Sequence, residues 1–294
     1  MTQPRVSGDG SDGSDGLSKM LETFDLQVAD GGFYGDSLDE GGGVVFGGQI
    51  LAQTVVAAAR THPTKEVKSL HTIFARSASC DRPLSFDVET MHAGRSFASL
   101  TISVRQGDDL CSRSLVLLHA PDPDLIRHGQ DPSIETAGDR LPPRGQITWW
   151  DIRYEAQVDI HDPDAVGPPT LDVWTRFPGA PHDPVVSQAL LAYASDGFLI
   201  ATAMRPHPGV GQALAHVSVS TTVLSQTLSF HEPFDAASWL LLAHESPYAG
   251  RGRSYGRANV FADGGRLVAS YVQENMIRDY PAGRAPAAGT RSAH

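Results

Sequence analysis

Cysteine is almost missing from this chain: Cys80 and Cys111 are the only two in 294 residues, and they do not form a CxxC pair. That excludes a disulfide framework, and two isolated thiols fit a reducing compartment, so the cytoplasm is the expected location. Positive charge is also scarce, with 23 Lys and Arg against 34 Asp and Glu and a formal net charge of -11. Such a chain offers no basic field to nucleic acid or to an anionic lipid surface, although a local patch for a phosphorylated group remains open. The N-terminus lacks the apolar segment of a secretory signal. The GxSxG match at Gly252 to Gly256 runs into the β-rich stretch at 254–261 and so is no strand-to-helix elbow, and there is no HExxH and no P-loop, which removes three common hydrolytic designs. Histidine is not scarce, at twelve, but His161-Asp162 and His182-Asp183 sit in Pro-rich loops without paired ligand spacing. No metal and no other cofactor is therefore expected.

The ends are poor in core-forming residues. Residues 1–16, carrying GDGSDGSDG, cannot offset their ordering entropy by burial and are expected to be disordered, and the Gly-, Ala- and Pro-rich residues 280–294 are expected to be a mobile tail. Gly8, Gly10 and Gly13 match GxGxxG, but no strand precedes them and no helix follows, so they do not make a dinucleotide site. A short amphipathic segment at 17–26 begins the folded part.

Against this background, residues 183–204 (DPVVSQALLAYASDGFLIATAM) stand out. Asp183 is an N-cap, Pro184 fits the first helical position, and Pro206, Pro208 and Gly209 stop the run. The segment is apolar nearly all round, which marks a helix wrapped by protein, and Ser187, Gln188, Ser195 and Asp196 interrupt it too often for a membrane span. Past the Asp183 cap, Asp196 is the one charge. A carboxylate in such surroundings costs several kcal/mol unless it is hydrogen-bonded, and its pKa rises toward that of a general base. The bland alternative is an aspartate near a helix end that reaches solvent or caps a neighbour.

A second Ala-rich helix follows Gly47, Gly48 and Gln49 and ends at His62-Pro63. Its bare N-terminus either presents backbone N–H groups to a carbonyl oxygen or simply uses glycine for close helix packing. Four β-rich runs come next, at 67–76, 84–91, 96–105 and 110–119, and 121–147 reads as a linker. The second half repeats this plan: strands near 152–158 and 171–177, the helix at 183, then strands at 217–230, 238–245, 254–261 and 267–277. The turn signals recur in the same order, with Ala93-Gly94-Arg95 matching Ala249-Gly250-Arg251 and Gly107-Asp108 matching Asp263-Gly264. The chain is read as an internal duplication of an α+β unit, at 17–120 and 148–279.

Two helix-plus-meander halves, with VFGGQ at 45–49, FDVETMHAGRSF at 86–97, LLAYASD at 190–196, FHEPF at 230–234 and VQENMIR at 272–278, resemble the TesB-type acyl-CoA thioesterases, whose fold is the double hot-dog. The resemblance implies hydrolysis of a fatty acyl-CoA to free fatty acid and CoA, and association into homodimers or higher homo-oligomers. It also implies a water activated by an aspartate, a Ser or Thr, and a glutamine. The aspartate falls on Asp196 and the glutamine on Gln273, while Gly47, Gly48 and Gln49 become candidate substrate contacts. The hydroxyl position falls on Val223, a departure from the family. Period-2 alternation puts Thr221, Ser225 and Thr227 on the face of Val223, which makes Ser225 the nearest substitute; a one-residue bulge would bring Thr222 into place instead. The family's FxRPG segment is also altered, to FARSA at 74–78.

Two other readings compete with hydrolysis. Enoyl-thioester hydration on this fold pairs the aspartate with a histidine later in the helix, and Asp196 is followed by GFLIATAM, which has none. A catalytically weak or inactive acyl-ligand binding protein is the alternative that the loss at Val223 leaves open.

Overall fold

The first Ala-rich segment forms helix α2 (Gly47–Thr61), and twelve of its fifteen residues are buried, as apolar side chains on every face require. The second begins as expected. Asp183 is the N-cap of α3 (Pro184–Ser195), and its Oδ1 accepts from the Val185 and Val186 N–H groups at 2.8 and 2.9 Å, a cap contributing about 1 kcal/mol. The single helix expected over 183–204 is not observed. The chain leaves the helix at Asp196, turns through Gly197 and Phe198, and resumes as α4 (Leu199–Met204). Ser195 favours this ending by donating its hydroxyl back to the Ala192 carbonyl at 2.8 Å, and Gly197 is the weakest helix former available after proline.

The computed structural model describes residues 13–39, 42–129, 134, 138–142, 149–155 and 158–280. Helix α1 (Gly13–Glu22) starts inside the segment expected to be a disordered tail; the rest of that tail, the C-terminal one beyond Tyr280 and part of the linker lie outside the described residues. A hairpin of β1 (Gln27–Ala29) and β2 (Gly32–Gly35) follows, turning at Asp30-Gly31, where Gly31 takes a φ of 77°. After α2 come β3 (Glu66–Phe74), β4 (Leu84–Ala93), β5 (Phe97–Gln106) and β6 (Asp109–His119). The second half contributes β7 (Asp151–Tyr154), β8 (Thr170–Arg176), α3, α4, β9 (Val219–Phe230), β10 (Leu240–Gly250), β11 (Arg253–Phe261) and β12 (Leu267–Asp279).

All twelve of these strands form one antiparallel sheet in the order β1-β2-β4-β5-β6-β3-β9-β12-β11-β10-β8-β7. The order is a palindrome about the β3–β9 seam. Each half is six strands and a central helix, so the hairpin missed in the first half is the counterpart of β7 and β8. The duplication extends to an irregularity: Ser69 and Val67 oppose Leu117 and Leu118 around a bulge, just as Ser225 and Val223 oppose Glu274 and Asn275.

Both helices share one core with the inward residues of the sheet, including Leu70, Phe86, Ile102, Val116, Leu228 and Val260. They also touch each other. Phe46 and Tyr193 meet edge to face at 4.9 Å, and a Cβ on Gly48 would lie 2.3 Å from the Tyr193 carbonyl oxygen. The span from Pro184 to Met204 has the length and hydropathy of a membrane segment, but 78% of its most apolar window is buried within the protein, which identifies it as core.

Candidate active site

The helix break sets the position of Asp196. Its carboxyl group leaves the C-terminal end of α3 and lies against the first turn of α2, with Oδ2 2.7 Å from where a Gly47 Cβ would stand. Asp196 is 2% exposed, and burial pushes its pKa up to about 8; the Gly48 backbone N–H acts in the opposite direction and does not offset it. Oδ1 accepts from Gln273 Nε2 at 3.1 Å, while Oδ2 is buried without a hydrogen-bond partner.

Gln273 enters from β12 with Nε2 shared between Asp196 and Gln226 Oε1, the latter at 2.7 Å, and its own Oε1 is also buried and unpartnered. Behind these groups, Tyr271 meets His244 Nε2 at 2.6 Å, and His244 Nδ1 lies 2.8 Å from the Leu171 carbonyl. A carbonyl can only accept, so Nδ1 carries the hydrogen, Nε2 accepts, and the Tyr271 hydroxyl donates. Burial lowers the His244 pKa to about 4 and, with the Asp196 charge, raises that of Tyr271.

A cavity of about 260 Å³ opens onto Asp196. Its wall comprises Val45, Gly47 and Ile50 from the first helix region, Phe74 to Ala78, and Thr222, Val223 and Leu224 from β9. Gln273 is not part of that wall. It reaches the site through Asp196.

Of the expected site residues, Asp196, Gln273 and Gly47 come together. Ser225 does not. The bulge at Leu224 reverses the alternation of β9, so Thr221 and Val223 are buried before it and Gln226, Leu228 and Phe230 after it, while Ser225, Thr227 and Ser229 share the other face. Thr227 Oγ1 meets His71 on that outer face at 2.8 Å. Simple alternation therefore chose the wrong side for Ser225. Thr222 is the hydroxyl on the cavity wall, and Val223 packs with Ile200 and Met204. Gly48 and Gln49 also leave the substrate role. Gly48 is required by the approach of Tyr193, and the Gln49 side chain, 1% exposed, accepts from Leu38 N–H and donates to the Asp36 carbonyl, holding the preceding loop. Gln226 was missed; its signal was there, as a glutamine pointing inward once the bulge is allowed for.

Among the described residues no three His, Cys, Asp or Glu side chains gather to hold a metal. His182 instead pairs with Asp235 at 2.7 Å, and His231 with Ser270 at 2.8 Å.

One antiparallel sheet wrapped around two central helices, with a buried carboxyl group at the mouth of a cavity between the halves, defines a double hot-dog protein of the thioesterase class. The acyl-CoA thioesterase N-terminal domain matches residues 36–119 and the acyl-CoA thioesterase C-terminal domain residues 128–277. The chain belongs to the acyl-CoA thioesterase family, whose members are thioester hydrolases. Acyl-CoA thioesterase 2 of Haemophilus influenzae is 28% identical over 90% of this chain and 99% of its own. The crystal structure of acyl-CoA thioesterase II TesB2 from Mycobacterium marinum superposes with a TM-score of 0.74 at 28% identity, covering 91% of this chain and 100% of that one. A hot dog fold protein of unknown function from Alicyclobacillus acidocaldarius, 16% identical, has the same fold, with a TM-score of 0.71 over 90% of this chain and 99% of its own.

Proposed function

We propose that this chain hydrolyses a fatty acyl-CoA through a water activated by Asp196, with Gln273 as its hydrogen-bond partner. The observation that carries the reading is a buried carboxyl group on a cavity wall, Asp196, whose Oδ1 accepts from Gln273 Nε2 and whose Oδ2 has no hydrogen-bond partner. A water donating to Oδ2 would satisfy it. Ionised Asp196 takes one proton from that water as its oxygen attacks the thioester carbonyl. The tetrahedral oxyanion collapses with cleavage of the C–S bond, and the proton passes to the departing CoA sulfur, leaving the free acid. The Gly47 N–H, first in α2 and on the cavity wall, is the donor we assign to the oxyanion; the Thr222 hydroxyl is the third polar group facing the reaction.

The observed network supports hydrolysis over the binding-protein alternative, because the loss at Val223 leaves the base and its amide partner in place and Thr222 supplies a hydroxyl nearby. Release of CoA thiol from a series running from acetyl- to palmitoyl-CoA tests this. Asp196→Asn should lose on the order of 10²–10⁴-fold in kcat. Undiminished turnover in that variant would refute the mechanism. We further propose a cytoplasmic protein that assembles as a homodimer or higher homo-oligomer, for which a concentration-independent monomer in light scattering is the contrary result.

A further inference from the structure

Gln273 can serve Asp196 only with its amide one way round, and an amide can rotate. Four buried groups determine which way. The Ser195 hydroxyl donates to the Ala192 carbonyl, so its oxygen is left to accept. Gln226 must therefore turn Nε2 toward Ser195, 2.5 Å away, which presents its Oε1 to Gln273. Gln273 in turn must present Nε2 to both Gln226 and Asp196, and its Oε1 remains as the free acceptor. Ser195, Gln226 and Gln273 are each at most 1% exposed, so no solvent water competes with this order.

The first half of the chain shows what the same strands look like without this function. Aligned on the two bulges, Gln226 and Gln273 correspond to Leu70 and Val116, which also oppose each other across the sheet and are buried. The fold thus accepts an apolar pair at these positions. Two glutamines at the equivalent place, each costly to bury unless bonded, are not needed for packing.

We propose that Gln226 and Ser195 are positioning residues, a relay running from the Ala192 carbonyl that locks the Gln273 amide with Nε2 on Asp196. The inference rests on Asp196 as the base and adds to that reading the means of orienting its partner. Breaking the relay frees Gln273 to rotate and withdraw its N–H from the carboxylate, which disfavours the ionised form.

The test is the pH dependence of kcat and KM on the best saturated acyl-CoA of the series, for wild type, Gln226→Leu, Ser195→Ala, the double variant and Asp196→Asn. Leucine is chosen because Leu70 occupies the corresponding position. Gln226→Leu should raise the ascending limb by about one pH unit and so lower kcat at neutral pH roughly tenfold, with KM within about twofold. Ser195→Ala should shift the limb in the same direction by less, and should add nothing to Gln226→Leu, because it acts only through that residue. An unshifted limb in either variant, or additive effects in the double variant, overturns the relay. Ser195→Ala carries the test alone if Gln226→Leu does not fold. Turnover surviving in Asp196→Asn would instead defeat the general-base reading, which keeps the two failures apart.

Discussion

Replacing Asp196 by asparagine changes one oxygen to an amide nitrogen in a site that is 2% exposed, and its effect on stability has a sign that the structure dictates. Burial raises the folded-state pKa to about 8, against an ordinary value of 3.8. Between these values the folded protein holds a proton that the unfolded chain has released, so the stability contributed by this group is fully present below about pH 4 and is lost as pH rises through about 8. Each pH unit in that window costs roughly 1.4 kcal/mol, an upper bound of about 6 kcal/mol over the whole range. Between about pH 5.5 and 8.5 the loss is roughly 3 kcal/mol. Other titrating groups cancel when wild type and Asp196→Asn are compared by urea unfolding at the same pH. The variant should gain on the wild type by that roughly 3 kcal/mol as pH is raised from about 5.5 to 8.5. Parallel stability curves would show that Asp196 is ionised at little cost, and would remove the physical basis for calling it a poised base.

Because the ionised form is the base, kcat/KM should rise with pH along a limb centred near 8, tenfold per unit below it; a profile flat from pH 6 to 9 would contradict this. Thr222→Val should weaken turnover by a few-fold, the loss of one neutral hydrogen bond, whereas Ser225→Ala should leave it unchanged; the reverse order in a kinetic comparison would restore Ser225 to the site. Gly48→Ala forces a methyl to 2.3 Å from the Tyr193 carbonyl oxygen and should destabilise the fold by about 1–3 kcal/mol, seen as a lower urea midpoint, and an unchanged midpoint would mean the helices separate freely.

Most of the fold was legible because its signals are local. The starts of α2 and α3, and β3 to β6 with their turns, follow from Gly, Pro and β-branched residues placed close together in the chain, and the repeat of those signals revealed the duplication. The hairpin of β1 and β2 escaped because a three-residue strand carries too few alternations to register, although Asp30-Gly31 marked its turn. At the site, Asp196 was conspicuous as the lone charge in an apolar run. The Ser225 error has a different origin. Alternation reads the face of a strand only while the register holds, and the bulge at Leu224 is imposed by pairing with Glu274 and Asn275 of β12, distant in the chain, which no local pattern reports. Gln226 was lost for the same reason.

The bulge is also what makes one half of a duplicated chain reactive. Both halves carry it at the same place, so it belongs to the fold and was not added for catalysis. Its effect is to turn the residue after it inward. In the first half that residue is Leu70, facing Val116, and the helix beside them, α2, is Ala-rich along its buried length. In the second half the inward pair is Gln226 and Gln273, and α3 ends beside them in Ser195 and Asp196. Four polar groups have entered a place where the scaffold accommodates apolar ones, and three of them satisfy one another only in a single orientation. The Gln273 amide is then held with Nε2 on Asp196 Oδ1, and Asp196 Oδ2 is left without a partner where Asp196 meets the cavity. With Oδ1 taken by Gln273, Oδ2 is the unclaimed oxygen, and an unclaimed, desolvated oxygen is what a water must find in order to lose its proton.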